Sequence, residues 1–321
     1  GDRDGVASGS TGVVHVSCLA EQAKILVEEA LEDNLFDKAE ERFQRWNSCS
    51  LCKQEYHGVV CCALGWACWK TYLARPHLDP LRRIAKAHLA NGLRVANFPA
   101  EALAIFETLL ATDRRLGYPE QSKDILQTRE NIACCYENLG RDNDALNIRR
   151  EVFAAREASD PDSIETFRAA LNLGRSLYDA DEFKEAARLG CRMVPAARRA
   201  LGIDHEYTMC LSWNYATCRI DGSSASLEDL IQAEALLTDT YSRFRRVMGD
   251  LHPDTPRIHR SLEMARVKVA HARLLATGET TTSFEPVPGL DLEHVVIHDF
   301  PVPAECVLVF WSCAAVALAW L

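Results

Sequence analysis

The chain has 321 residues, more than one hydrophobic core usually serves, so a repeat array or several domains is expected. A formal net charge of −10 argues against duplex nucleic acid as a partner. Thirteen cysteines, an odd number with no secretion signal ahead of them, argue against a disulfide framework and for a reducing, cytoplasmic setting. The sequence contains no Gly-rich phosphate loop, no nucleophile elbow and no HExxH, so no catalytic residue is assigned. It begins with Gly1 rather than Met, which implies a start that is processed, cut or incompletely defined.

Residues 9–56 carry the richest set of metal-type ligands. Two residues separate His15 from Cys18, and two separate Cys49 from Cys52. Ligands so spaced can reach one zinc ion from a single turn. Gly9, Ser10, Val14, His15, Cys18 and Leu19, then Trp46, then Cys49, Leu51, Cys52, Lys53 and Tyr56, resemble the second half of a RING-CH zinc finger. The resemblance implies that His15/Cys18 and Cys49/Cys52 serve different zinc ions, so His15 should approach neither Cys49 nor Cys52. The family's two earlier cysteine pairs are missing, and the second would fall on Gly5 and Ala7. The zinc site is therefore expected to be incomplete. Only with the missing half upstream does the resemblance imply a substrate-recruiting ubiquitin ligase that docks a ubiquitin-conjugating enzyme. A second metal reading stays open. Cys49, Cys52, His57 and Cys62 have the C-x2-C-x4-H-x4-C spacing of a zinc knuckle, which would bring these four ligands within about 4 Å of one another.

Residues 58–79 read as an apolar connecting helix containing Ala63, Trp66, Ala67 and Trp69. Beyond residue 80 one spacing recurs. Asn131-Ile-Ala133 is followed by Asp144-Ala145, and Asn172-Leu-Gly174 by Glu185-Ala186. Asn214-Tyr-Ala216 is followed, after a short insertion, by Ala233-Glu234. Ala90 with Glu101-Ala102 forms a fainter earlier copy. A fixed period near 40 residues marks stacked supersecondary units. Ala90/Ala102, Ala133/Ala145 and Gly174/Ala186 supply the small residues that let two helices cross closely. Leu139-Gly140-Arg141 and Ala180-Asp181-Glu182 mark turns within pairs, and Gly117, Gly202 and Gly249 close second helices. The spacing predicts helix pairs at about 81–95/99–115, 122–139/142–157, 163–179/182–201 and 206–219/227–248, then a final helix near 255–276.

This is the spacing of a tetratricopeptide repeat, and Gly249-Asp-Leu-His252-Pro253-Asp254-Thr255 resembles the link of kinesin-light-chain-type repeats. Over roughly residues 80–278 the resemblance implies an all-α right-handed superhelix, an α-solenoid whose first helices line a concave face. It further implies a protein-interaction scaffold in which Asn131, Asn172 and Asn214 hydrogen-bond the backbone of an extended peptide. Arg168 and Arg175 lie four before and three after Asn172, on about the same helix face, which favours an acidic partner. The alternative is that these Asn residues tie neighbouring helices together. Arg149-Arg150-Glu151 and Arg243-Phe-Arg245-Arg246 read as solvated faces. Cys61, Cys68, Cys134, Cys135, Cys191, Cys210 and Cys218 fall at apolar helical positions, where cysteine acts as a small hydrophobe. His205 and His252 lie at repeat junctions and read as capping or packing groups.

The repeat pattern stops near Gly278. Residues 279–305 read as a Pro-containing linker and 306–321 as an uncharged apolar tail. That tail is shorter than the roughly 20 residues a bilayer-spanning helix needs. A membrane is not an expected partner, and tail anchoring stays as the alternative.

Overall fold

The computed structural model describes residues 15–49, 55–222 and 225–277. Twelve α-helices occur among them. They are α1 Val16–Glu32, α2 Phe36–Phe43, α3 Gly58–Tyr72, α4 Pro80–Val95, α5 Pro99–Arg115, α6 Lys123–Asn138, α7 Asp142–Ser159, α8 Ile164–Asp179, α9 Phe183–Ala200, α10 Glu206–Asp221, α11 Leu227–Met248 and α12 Asp254–Thr277. No strand occurs there, only an isolated bridge between Ser48 and Glu55. The chain divides into two compact units, 1–273 and 274–321. Of the second, only the end of α12 is described. Among the described residues no helix is long and apolar enough to cross a membrane, and the run 306–321 lies outside them.

The repeat period is visible in how helices start. The side chains of Asp79, Ser122, Ser163 and His205 each cap the first helix of a pair, accepting a backbone N–H of the first turn. Such caps satisfy donors that have no partner within the helix. The turns inside the first three pairs also share one device. Asn97, Gly140 and Asp181 all adopt positive φ, of 67°, 70° and 58°. Glycine takes that conformation freely, and Asn and Asp tolerate it through local hydrogen bonds. Ala90, Ala102, Ala133, Ala145 and Ala186 are buried, as close crossing requires. Gly174 has a different reason to be small: a Cβ there would lie 3.0 Å from Oδ1 of Asn214, on the next pair.

Polar contacts lock each layer to the next. Arg83 of α4 donates to Asp113 of α5 at 2.7 Å and to Asp124 of α6 at 3.2 Å. Arg149 of α7 donates to Glu137 of α6 at 2.7 Å and to the Asn172 carbonyl of α8 at 3.0 Å. Asp221 of α10 accepts from the Tyr178 hydroxyl of α8 and from Lys268 of α12, each at 2.7 Å. Arg149 departs from the expected solvated face, being 3% exposed. It falls on the same stripe of α7 as Ala145, Val152 and Arg156, which the helical period turns inward. Arg243, Arg245 and Arg246 instead lie in ion pairs with Asp239, Asp250 and Asp204, and only Phe244 of that run is buried.

Of the expected N-terminal zinc module, residues 1–14 and 50–54 lie outside the described residues. Between residues 15 and 49 stand α1, α2 and a 3₁₀ turn, Gln44–Trp46. Ala23, Val27, Phe43 and Trp46 share a core with Leu64, Cys68 and Tyr72 of α3 and Ala85 of α4. This region therefore owes its order to apolar burial. α3 and α4 cross where Gly65 faces the His88 carbonyl and Gly92 faces Cys61 and Cys62.

Candidate functional site

The first helices α6, α8 and α10 carry the row read from the sequence. Asn131, Asn172 and Asn214 are each half-buried, one period apart. Arg168 donates from Nη2 to Oε1 of Gln127 at 2.5 Å, and Gln127 in turn donates to Oδ1 of Asn131 at 3.4 Å. Asn172 donates to Oε2 of Glu130 at 3.0 Å. The two contacts that cross from α8 to α6 link residues 41 and 42 apart, which is the repeat period itself. Asn214 packs on Gly174, and its Oδ1 accepts from the Cys218 thiol at 3.5 Å. Each of Asn172 and Asn214 therefore touches the preceding pair. Arg175 is exposed, and its charge acts on Asp179.

Beneath the row, Arg156 of α7 is 7% exposed. Its Nε and Nη2 meet no hydrogen-bond acceptor, and neither does the nearby buried Glu130 Oε1 a donor. Nε and Nη2 form one edge of the planar guanidinium, the edge that takes a carboxylate in bidentate fashion. Burial pushes the Arg156 pKa down and the Arg168 cation adds to this, while Glu130 and Glu165 oppose it. Burial likewise raises the Glu130 carboxyl above its ordinary range, against Arg149, the Asn172 bond, Arg156 and Arg168. Gln127, Glu130 and Arg156 were not read from the sequence. Their signal was there, since Gln127 and Glu130 precede Arg168 and Asn172 by one period and Arg156 follows Arg149 by seven residues on one face of α7.

The metal-type residues are placed in part. His15 is the exposed N-cap of α1, and Cys18 is exposed on its first turn. Cys49 and Cys62 are half-buried, and His57 is the exposed N-cap of α3. Cys52 lies outside the described residues, so neither ligand set can be placed whole. Among the described residues no group of three or more His, Cys, Asp or Glu could hold a metal ion. Cys49, His57 and Cys62, three of the four knuckle positions, thus do not gather into one.

Of the cysteines assigned to apolar positions, Cys68, Cys135, Cys210 and Cys218 are buried. Burial lifts the Cys135 thiol to about 11 and those of Cys210 and Cys218 to about 12, so they stay protonated and inert. Cys61 and Cys134 are half-buried, and Cys191 is exposed. Cys191 departs from expectation because α9 turns Gly190 and Val194 inward on either side of it. His205 Nδ1 accepts from the Tyr207 N–H and His252 Nδ1 from the Asp254 N–H, each at 3.2 Å, so both are local capping groups.

Residues 166–207 match the tetratricopeptide repeat family. The matched segment is the α8–α9 pair with the start of α10, and the pairs α4–α5, α6–α7 and α10–α11 repeat its plan. No curated protein matches the chain. Among solved structures, the chain is similar to a putative kinesin light chain from Podosopora anserina with nearly identical TPR-like repeats. Identity is 14%, coverage is 74% of this chain and 99% of that one, and the TM-score is 0.47. It is similar to BtubC (BKLC) from P. vanneervenii at 13% identity, covering 90% of this chain and all of that one, with a TM-score of 0.44. It is also similar to a Rap protein complexed with competence and sporulation factor, at 16% identity over 79% of this chain and 66% of that one, with a TM-score of 0.45. The repeat assignment itself rests on the matched segment and on the helix stack.

Proposed function

We propose that the chain is a protein-interaction scaffold that takes an extended acidic peptide along α6, α8 and α10. Stacked helical repeats present continuous concave surfaces, and one side chain per layer at a fixed position makes a row. In this reading Asn131, Asn172 and Asn214 bond the peptide backbone, since an amide side chain both donates and accepts. Arg168 and Arg175 meet its carboxylates. The observation that supports the reading is the buried Arg156, whose bidentate edge meets no acceptor beside Arg168 and Asn172. A carboxylate reaching that edge would restore what burial withholds.

A random-peptide screen against the full chain tests it. Selected peptides should be enriched in Asp and Glu. Arg168→Ala should weaken their binding about ten- to a hundredfold, the effect of losing a charged hydrogen bond worth about 1.5–3 kcal/mol. Binding should weaken further as salt rises, because exposed charges are screened beyond roughly 8 Å at physiological ionic strength. Hits without acidic enrichment, or an affinity untouched by Asn172→Ala combined with Arg175→Ala, would sink the assignment.

A further inference from the structure

A second surface lies between α7 and α9, lined by none of the residues invoked above. Phe153 of α7, Leu173 and Leu177 of α8 and Leu189 of α9 form the floor of a cavity of about 710 Å³. That is within the range of about 300–1,000 Å³ typical of sites that hold ligands. These four side chains are each at most 6% exposed, so the floor belongs to the folded core and is preformed.

The wall formed by α9 is strongly basic. Phe183–Ala200 carries Lys184, Arg188, Arg192, Arg198 and Arg199 against the single acid Glu185, in a chain whose net charge is −10. All five cations are exposed. Lys184, Arg188 and Arg192 follow at four-residue intervals and so share one face. Three carboxylates stand near the cavity, each paired with a cation of its lining. Glu182 and Glu185 hold Arg150 at 2.7 and 2.8 Å, and Glu157 holds Arg192 at 2.9 Å. Arg192 also lies over the Phe153 ring, 6.0 Å from its centroid. Lys184, Arg188, Arg198 and Arg199 have no ion pair among the described residues.

We propose that this cavity docks an acidic segment of another protein, large apolar side chains in the cavity and carboxylates on Lys184 and Arg188. The preformed apolar floor supplies shape, while the basic wall supplies orientation and a faster encounter. The surface is distinct from the α6–α8–α10 row, so the chain could hold two partners at once.

The test uses the full chain and a fluorescein-labelled synthetic peptide of alternating Leu/Phe and Asp/Glu residues, read by fluorescence anisotropy. Lys184→Glu with Arg188→Glu should raise Kd at least tenfold near 0.1 M salt, with the gap closing at high salt. Cys191→Trp adds bulk at an exposed position on the cavity wall and should also weaken binding. Thermal melts of both variants check that the fold persists. The measurement is repeated in the Arg168→Ala background, where the α6–α8–α10 row is weakened and the loss on Lys184→Glu with Arg188→Glu should persist. Affinity that survives both α9 variants in that background overturns the proposal, and so does a peptide affinity that Arg168→Ala alone abolishes. Tighter uptake of phosphatidylserine vesicles or duplex DNA than of the peptide, sensitive to the same α9 substitutions, overturns it in favour of a lipid or nucleic-acid surface.

Discussion

His88 sits beside the Phe43 ring, 5.1 Å between centroids, and burial lowers its pKa from the usual 6.5 to about 4. Between those two values the unfolded chain binds a proton there and the folded chain does not. Stability is therefore complete above pH 6.5 and falls as the pH drops toward 4. The loss should reach up to about 3 kcal/mol, at 1.36 kcal/mol per pKa unit. Thermal melts from pH 7 to 4 should show a declining Tm that His88→Gln flattens in part; equal slopes for both proteins would remove His88 as the cause. Single residues were also where the sequence was hardest to read. Arg149-Arg150-Glu151 looks like any solvated run, and only the register of α7, set by Ala145 and Val152, turns Arg149 inward. Arg156 escaped notice for the same reason: charge alone does not report which way a helix faces.

Helices were far more legible than side chains. The four pairs run within two residues of the bounds that the 41- and 42-residue spacing predicts. Small residues, caps and left-handed turns all repeat with one period, so each level of the sequence points to the same structure. The first 50 residues carry no such repetition. Their Cys and His spacing drew attention to metal, while the apolar positions of α1 and α2 are too few to signal a period by themselves. One crossing shows how finely the pairs are fitted. A Cβ on Gly190 of α9 would lie 2.6 Å from Cβ of Tyr215 on α10. Ala normally gains up to about 1 kcal/mol over Gly inside a helix. Here the overlap, worth typically about 1–3 kcal/mol, should win and push α9 off α10. Gly190→Ala should thus lower the Tm, and a raised Tm would show that the crossing relaxes freely.

In the first compact unit, each layer touches mainly the layers beside it, so stability is close to a sum of neighbour terms. The ends have one neighbour and the middle has two. Native-state hydrogen exchange should accordingly find the lowest opening free energies in α1 and α2 and the highest in α8 and α9. Uniform protection along the stack would mean that it opens all at once. Similar layers bring a further problem. A forming chain whose helix pairs share size, caps and crossing residues risks docking a pair on the wrong neighbour, or on another copy of itself. Three of the interlayer contacts differ in kind: Arg83 on Asp124, Arg149 on the Asn172 carbonyl, and Asp221 between Tyr178 and Lys268. A misplaced pair would take Arg149 away from the Asn172 carbonyl and the Ser176 hydroxyl of α8, and a buried donor left without its acceptor costs about 1–3 kcal/mol. These polar locks therefore act as serial numbers, letting near-identical parts assemble in only one order.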